Sequence, residues 1–332
     1  MLNKEGCSLS KNKIVTCIDA GSEYCPCYLA ESDECITCSQ LQGNSFCDCN
    51  WSGVCIYQEY AWCGMKKKTP REAIESEIIE RKQIGDDVLV LRIGVSKTLA
   101  RQLKQPGSYV FLRHPEKPMI FDVPMSIMAA DAEKGEIAIA IHILGVKTKS
   151  LLACDDKILL KGPYWNGLIG YKDLKNVTNQ NVLVIGRGIA LAPAILAIQY
   201  LLHNKNKVTF IIDQGRTGSA FINESIAALE IDRHYLNLRS TGGLEKLNQI
   251  LAEGTYSLVY SGGSDFLHEV IKDRLSRLGR PVKMVAINNH ELCCGEGVCG
   301  SCTARTLNGQ RVKMCKSQID IEEMIEGGNC NG

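Results

Sequence analysis

Residues 181–203 read NVLVIGRGIALAPAILAIQYLLH, and this stretch decides the architecture. Its opening apolar run, 181–186, has the pattern of a buried strand. From about Ala190 to His203 the run is rich in Ala and Leu, strong helix formers, so a helix is predicted. Gly186 and Gly188 fall between the two elements. Glycines there permit a tight turn, and the helix N-terminus offers free N–H groups to a pyrophosphate. Downstream, KVTFIID (207–213), the helix-like FINESIAAL (221–229) and SLVYSGG (257–263) continue the pattern. A helix from about Phe266 to Leu278 and PVKMVAI (281–287) complete it. Such strand–helix alternation predicts a parallel α/β sheet. Ser261, Gly262 and Gly263 repeat the glycine turn at the end of another strand, where open α/β sheets bind ligands. Asp213 ends the second strand, where an acid accepts from a ribose hydroxyl and favours NAD. Arg216, three residues on, suits a 2′-phosphate instead, so NAD and NADP both stay open.

Before this sheet the pattern differs. SEIIERKQI, DVLVLRIGV, SYVFLRH, EIAIAIHIL and DKILLKGP are strand-like stretches separated by turn residues, which predicts a small antiparallel barrel. Within it, His142 and Cys154 are expected as core residues.

After the sheet comes CGEGVCGSCTARTLNGQRVKMC, in which Cys294, Cys299, Cys302 and Cys315 are spaced C-x4-C-x2-C-x12-C. That is the plant-type [2Fe–2S] spacing, three thiolates from one loop and the fourth from further along. The intervening Gly295, Gly297, Gly300 and Ser301 let backbone N–H groups approach the sulfurs. A four-thiolate zinc site would more usually show two separated C-x2-C knuckles. Cys293 is expected as a packed neighbour of the ligands, and Cys330 as solvent-side.

Of 17 cysteines, ten lie between Cys7 and Cys63. Absence of an apolar core in MLNKEGCSLSKNK argues against a signal peptide, so a cytoplasmic protein is expected and its cysteines point to metal binding rather than disulfides. No histidine precedes His114, so a metal in the N-terminal block would be held by thiolates. A segment this poor in aliphatics builds little core, and a metal staple is physically reasonable. A [4Fe–4S] cluster, structural zinc or redox-sensing thiols all fit, and Cys25, Cys35, Cys38 and Cys47 are the ligand set named, with Trp51, Trp62, Tyr57 and Tyr60 as cover. The net charge of +1 provides no electrostatic case for nucleic acid or a membrane surface. The apolar run 189–202 is too short to span a bilayer.

The fold class expected is multidomain α+β, in four pieces. Residues 1–68 form a Cys-rich metal-binding domain and 69–175 a flavin-binding β-barrel. Residues 176–288 form a parallel α/β nucleotide-binding domain, and 289–332 the [2Fe–2S] segment.

The order barrel, glycine-loop domain, cysteine tail resembles the ferredoxin–NADP reductase superfamily. Within it, the chain resembles the electron-transfer subunit of dihydroorotate dehydrogenase and the small subunit of NADH-dependent ferredoxin–NADP oxidoreductase. The likeness covers roughly residues 70–316. Pro106-Gly107-Ser108-Tyr109-Val110 resembles the family's Pro-Gly-x-Phe/Tyr-Val strand entry, and Val123-Pro124-Met125-Ser126-Ile127 its flavin motif Arg-Pro-x-Ser-Ile. Gly145-Val146-Lys147-Thr148 resembles the turn by the flavin phosphates, and Leu160-Lys161-Gly162-Pro163 the closing turn. Gly186-Arg187-Gly188 with Ala192-Pro193 resembles the nicotinamide-nucleotide loop. Ser261-Gly262-Gly263 stands where the family has Cys-Gly-Pro.

The resemblance implies a relay: a hydride from NAD(P)H to FAD, then single electrons through the [2Fe–2S] centre to a partner oxidoreductase subunit in a hetero-oligomer. Through it, Pro124, Met125, Ser126, Gly145, Lys147, Thr148, Gly162 and Pro163 are expected at FAD, and Gly186, Gly188, Ser261, Gly262 and Gly263 at NAD(P). No residue is assigned as catalytic. The flavin motif departs at Val123, where the family has an arginine that would pair with phosphate. Lys147 and Lys149 are expected to replace it. The competing expectations are a non-catalytic iron–sulfur scaffold with a degenerate flavin site, and a thiol redox sensor.

Overall fold

The computed structural model describes residues 15–323; Cys7 and Cys330 lie outside them. The described residues begin with a two-residue strand, β1 (Thr16–Cys17), and a module carrying helices α1 (Tyr28–Glu31) and α2 (Ile56–Trp62). Its core is small and sulfur-rich: Cys25, Ala30, Cys35, Cys38, Leu41, Ile56 and Tyr60.

Seven antiparallel strands follow: β2 (Ala73–Ile84), β3 (Val88–Gly94), β4 (Tyr109–Arg113), β5 (Val123–Ser126), β6 (Ala129–Asp131), β7 (Glu136–His142) and β8 (Lys157–Tyr164). Their order is β5-β4-β8-β2-β3-β7-β6. The edge strands β5 and β6 are separated only by Ile127 and Met128, so the sheet curls back on itself. Leu89, Leu91, Ile93, Leu112, Ile137, Ile139, Ile141 and Leu160 fill the interior by period-two alternation. Short helices α3 (Lys97–Gln102) and α4 (Val146–Ser150) cover its ends.

The second sheet contains β9 (Leu168–Ile169), β10 (Asn181–Arg187), β11 (Lys207–Asp213), β12 (Asp232–Tyr235), β13 (Leu258–Gly262) and β14 (Lys283–Ile287). Its order is β12-β11-β10-β13-β14-β9, parallel except for β9. Helices α5 (Tyr171–Asn176), α6 (Leu191–His203), α7 (Asn223–Ala227), α8 (Thr241–Glu253) and α9 (Asp265–Ser276) connect the strands. Chain order reverses between β10 and β13, which makes their carboxyl ends the topological switch point.

Helix α6 locks the two sheets together. Pro193 falls in its first turn, where an N–H has no intrahelical partner anyway. At its other end Asn206 Nδ2 donates to Leu201 O at 2.9 Å, satisfying a terminal carbonyl. One face packs on the parallel sheet through Ile195, Ile198 and Leu201, together with Val88, Met128 and Ala140 of the barrel. Leu196 enters the barrel core itself.

Several elements were not predicted from the sequence. Strand β12 is four largely polar residues at a sheet edge, and α8 starts Thr-Gly-Gly, a weak helix signal. The helix expected over FINESIAAL is a 3-10 turn (Ala220–Ile222) followed by only α7. The chain ends in a hairpin, β15 (Thr303–Arg305) with β16 (Arg311–Lys313), and β17 (Ser317–Gln318) pairs antiparallel with β1.

Candidate functional site

The β15–β16 hairpin brings the last cysteine of the C-terminal motif back to the others. Met314 N donates to Cys302 O at 3.0 Å, and Cys315 N to Cys302 Sγ at 3.3 Å. Cys315 lies near enough to Cys302 and Cys294, and Cys294 to Cys299, for each pair to influence one another's thiols. Glu296 N donates to Cys294 Sγ at 3.3 Å. Gly295, Gly297 and Gly300 all hold φ between 70° and 80°, the left-handed region that turns those N–H groups inward. A Cβ on Gly295 would lie 2.4 Å from the Tyr164 ring, so the loop rests directly on β8.

The hydrogen bond from Cys315 draws the Cys294 thiol down to about 4 and Cys302 to about 7. Cys315, donor to both, is pushed up by those same bonds. Backbone N–H groups aimed at the sulfurs of Cys294 and Cys302 suit a [2Fe–2S] cluster, whose ligands are thiolates. Among the described residues no three His, Cys, Asp or Glu side chains are arranged around one metal ion. A binuclear cluster takes its thiolates in pairs, two per iron, and does not need such a point. Tyr109 Oη is buried with no hydrogen-bond partner, and its phenol feels the charges of Cys315 and Cys302. Cys293 is exposed and bonds Cys299, so it is not the packed neighbour expected.

In the N-terminal module the cysteines are free, and Cys25, Cys35 and Cys38 are buried together. Cys38 N donates to Cys35 Sγ at 3.4 Å. Burial pushes Cys25 up to about 12, with Cys27 and Cys35 adding to it. Cys47, named with that set from the sequence, is exposed and hydrogen-bonds Cys49. Cys27, omitted from it, lies near enough to Cys25 and Cys35 to add to the rise of both. Trp51 packs on this core and Tyr60 lies in it, whereas Trp62 is exposed.

Two buried cations and two carboxylates bind the module to the cluster loop. Arg71 pairs bidentately with Asp19, both contacts 3.0 Å, and reaches Glu296 Oε2 at 3.4 Å. Lys316 Nζ pairs with Asp19 and meets Glu296 Oε2 at 3.0 Å. Tyr164 Oη donates to Glu296 Oε1 at 2.9 Å. Burial alone would raise the Asp19 carboxyl, but Lys316 and Arg71 outweigh it and hold it below the usual range.

On the barrel, β5 presents Pro124 and Met125 half-buried and Ser126 exposed. Lys147 Nζ donates to Asp122 O at 3.0 Å, beside Val123, where the missing arginine would stand. The Asp122 carboxylate meets Arg113 at 3.1 Å and Lys161 at 3.5 Å, so two cations flank the acid and Lys147 holds its carbonyl. Such a cationic corner suits a phosphate. Thr148 Oγ1 accepts from Leu144 N and Gly145 N and closes the turn. Gly162 lets β8 approach β4, since a Cβ would lie 2.8 Å from Val110, and Pro163 O accepts from Arg71 Nε. His142 hydrogen-bonds Asp87 at 3.2 Å, and Cys154 is buried in the barrel core.

At the switch point, parallel register sets Gly186 opposite Gly262 and Ile185 opposite Ser261, so the two glycine turns stand side by side. A Cβ on Gly186 would lie 2.7 Å from Leu191, and Gly188 holds φ at 57°. Ser261 Oγ is hydrogen-bonded to His268 Nδ1 at 2.6 Å, and His268 Nε2 lies 3.3 Å from Asn289 Nδ2. Sequence reasoning missed this chain, because His268 follows on α9 and Asn289 on the loop after β14. Of the two residues weighed for NAD and NADP, Asp213 is buried and bonded to Arg187 at 3.0 Å, so its carboxylate is already engaged inside the protein. An open cleft of about 840 Å³ lies at the opposite end of the strands and is lined by Asn181, Lys207, Glu230 and Tyr256.

No family model matches the chain. It is 20% identical over 250 residues to the "Dihydroorotate dehydrogenase B (NAD(+)), electron transfer subunit" of Enterococcus faecalis, covering 72% of this chain and 92% of the relative. The protein of the same description from Clostridium acetobutylicum is 24% identical over 218 residues, 64% and 82% of the two chains. The solved structure of the NADH-dependent reduced ferredoxin–NADP oxidoreductase superposes with a TM-score of 0.60 at 20% identity, covering 75% and 89% of the two chains. That likeness shows a shared fold. The resemblance read from the motifs is thus present in both sequence and structure. Among the described residues no helix is long and apolar enough to cross a membrane.

Proposed function

We propose that the chain is an electron-transfer oxidoreductase subunit that takes electrons from NAD(P)H and delivers them singly to a partner oxidoreductase. The observation that carries this reading is the return of Cys315 to the ligand loop, with Cys315 N donating to Cys302 Sγ at 3.3 Å and Glu296 N to Cys294 Sγ at 3.3 Å. When bound, FAD and a [2Fe–2S] cluster supply the conversion between a two-electron hydride and single electrons.

The protein's part is placement. The turns at Gly186, Gly188 and Ser261–Gly263 would receive the dinucleotide at the switch point, where backbone can approach it closely. His268 orients the Ser261 hydroxyl and stays neutral, because burial lowers its pKa. Pro124, Met125 and Ser126 would line the flavin, with Gly145, Lys147 and Thr148 at its phosphates. Lys147, set beside Val123, supports compensation for the missing arginine. Gly162 and Pro163 would serve the flavin indirectly, by holding β8 against β4. In the N-terminal module, Cys25, Cys35 and Cys38, with Cys27 close by, would be the thiols offered to zinc or a [4Fe–4S] cluster, and burial keeps Cys25 and Cys35 protonated until a metal displaces the proton.

A second reading is favoured by Val123 alone: a non-catalytic iron–sulfur scaffold whose flavin site has decayed. Anaerobic purification with iron, sulfide, zinc and flavin measured on one sample separates the two. The relay requires one flavin per chain and about two irons for the C-terminal loop, or about six if the module adds a [4Fe–4S] cluster. Cluster-loaded protein without flavin supports the scaffold.

A further inference from the structure

The four buried charges join parts of the chain that the relay alone leaves unconnected. We propose that Asp19 is a positioning residue for the C-terminal cluster: through Arg71 and Lys316 the N-terminal module clasps the ligand loop and sets its electrostatic balance. This rests on reading Cys294, Cys299, Cys302 and Cys315 as ligands.

Position in the chain makes the case first. Glu296 lies two residues after Cys294, and Lys316 follows Cys315 directly. Both contact Asp19 or its partner Arg71, so the flanks of two ligands are tied to one carboxylate outside the C-terminal segment. Backbone pairing reinforces the tie: Cys17 registers with Ser317, and Ile18 N donates to Lys316 O at 2.8 Å. Leu29 of α1 packs against Gly297, and Glu34 pairs with Lys313 of β16.

Burial makes the case second. The side chains of Arg71 and Lys316 are 0% exposed and that of Asp19 3%. Arg71 is stacked against Tyr24, 3.8 Å from its ring centroid, and Tyr164, at 4.5 Å. Charges so dry are strongly coupled, and removing one partner strands the others. Two cations and two anions cancel. Without Asp19 one positive charge is left uncompensated beside Cys315 and Cys294. An apolar cluster of the same volume could stabilise the contact as well, so retained charge points to an electrostatic task. Groups that orient metal ligands from outside the first contact typically alter metal affinity or activity by about 10–100-fold.

The test compares the full chain with Asp19→Asn and with the charge-balanced double variant Asp19→Asn/Lys316→Met. Three quantities are read: the rate of iron release to a chelator, the cluster midpoint potential from an EPR-monitored titration, and the first tryptic cuts at Lys66–Lys68. Asp19→Asn is expected to release cluster iron at least about tenfold faster. Its potential should move upward, because the added positive charge favours the reduced cluster, and the linker should be cut sooner. The double variant should regain most of the iron retention. Wild-type release and potential in Asp19→Asn overturn the proposal. If Asp19→Asn does not accumulate, the double variant decides: retained iron supports the clasp, and rapid loss or failure to fold overturns it. Cys302→Ser reports separately on the ligand reading. An unchanged cluster signal in that variant defeats the reading, while tryptic cutting of Asp19→Asn still shows whether the clasp holds the module.

Discussion

Both carboxylate oxygens of Asp213 are engaged inside the protein. Oδ2 meets Arg187 Nη1 at 3.0 Å and Leu238 N at 2.8 Å, and Oδ1 accepts from Gly215 N at 2.9 Å. The residue ties the end of β10 to the loops after β11 and β12. Asp213→Asn should therefore cost about 2–4 kcal/mol, since it breaks a largely buried ion pair. Denaturant unfolding measures the loss, and the ratio of KM for NADH and NADPH should stay unchanged. A switched preference would show that Asp213 does reach the nucleotide. Lys147 bears the opposite expectation. Because Lys147 is held beside Val123 by Asp122 O, its loss in Lys147→Ala should weaken flavin binding about tenfold, the size of one charge-assisted hydrogen bond. Equilibrium dialysis or fluorescence titration of flavin reports this, and unchanged affinity rejects the compensation. The sequence alone points to Lys147 as the replacement for the arginine, whereas for Asp213 only the residue type is legible. Asp213 and Arg187 stand in the expected motif, but their pairing follows from parallel register.

At the scale of elements, the sequence is most informative where one short stretch encodes both pattern and chemistry. Strand β10 with α6 is such a case, because the apolar run, its two glycines and its helix formers agree. The C-terminal loop is another, since C-x4-C-x2-C confines three sulfurs before any tertiary contact forms. The return of Cys315 was implied by spacing, and the β15–β16 hairpin accomplishes it. Strands β1 and β17 were illegible: two residues each, they exist only because they pair with each other. The cluster loop makes a sharp prediction. Gly295 combines φ of 70° with a ring 2.4 Å from any added Cβ, so Gly295→Ala must displace the loop or Tyr164. Iron bound per chain should fall well below that of the parent, while the far-UV spectrum is kept. Full iron content would mean the loop has slack the structure does not show. In α6, Ile195→Ala removes a fully buried side chain between two sheets and should cost about 2–5 kcal/mol in thermal unfolding.

For the whole molecule, the order of the pieces was legible and their mutual contacts were not. Asp19 and Lys316 are 297 positions apart, and Arg71 and Glu296 are 225 apart, so no local pattern could pair them. Arg71 even follows directly on what reads as a linker. The histidines near the switch point predict the pH response. Burial lowers both His268 and His290 below the ordinary value, against an opposing pull from Asp265. The unfolded chain takes up protons on these residues near pH ~6.5 while the folded chain does not. Stability therefore falls as pH drops through that value, whereas Asp19, held below the usual carboxylate range, contributes its loss only in stronger acid. Unfolding midpoints at pH 7.5 and 5.5 check the sign, and His268→Gln should flatten the slope.

The central claim is that one chain carries electrons from a nicotinamide nucleotide to sulfur-held iron. Anaerobic addition of NADH or NADPH to purified protein, followed by low-temperature EPR, tests it most directly. The account predicts the signal of a reduced [2Fe–2S] cluster, present in the parent and absent in Cys302→Ser. A parent that bleaches its flavin without producing that signal, or a signal that survives Cys302→Ser, would contradict it.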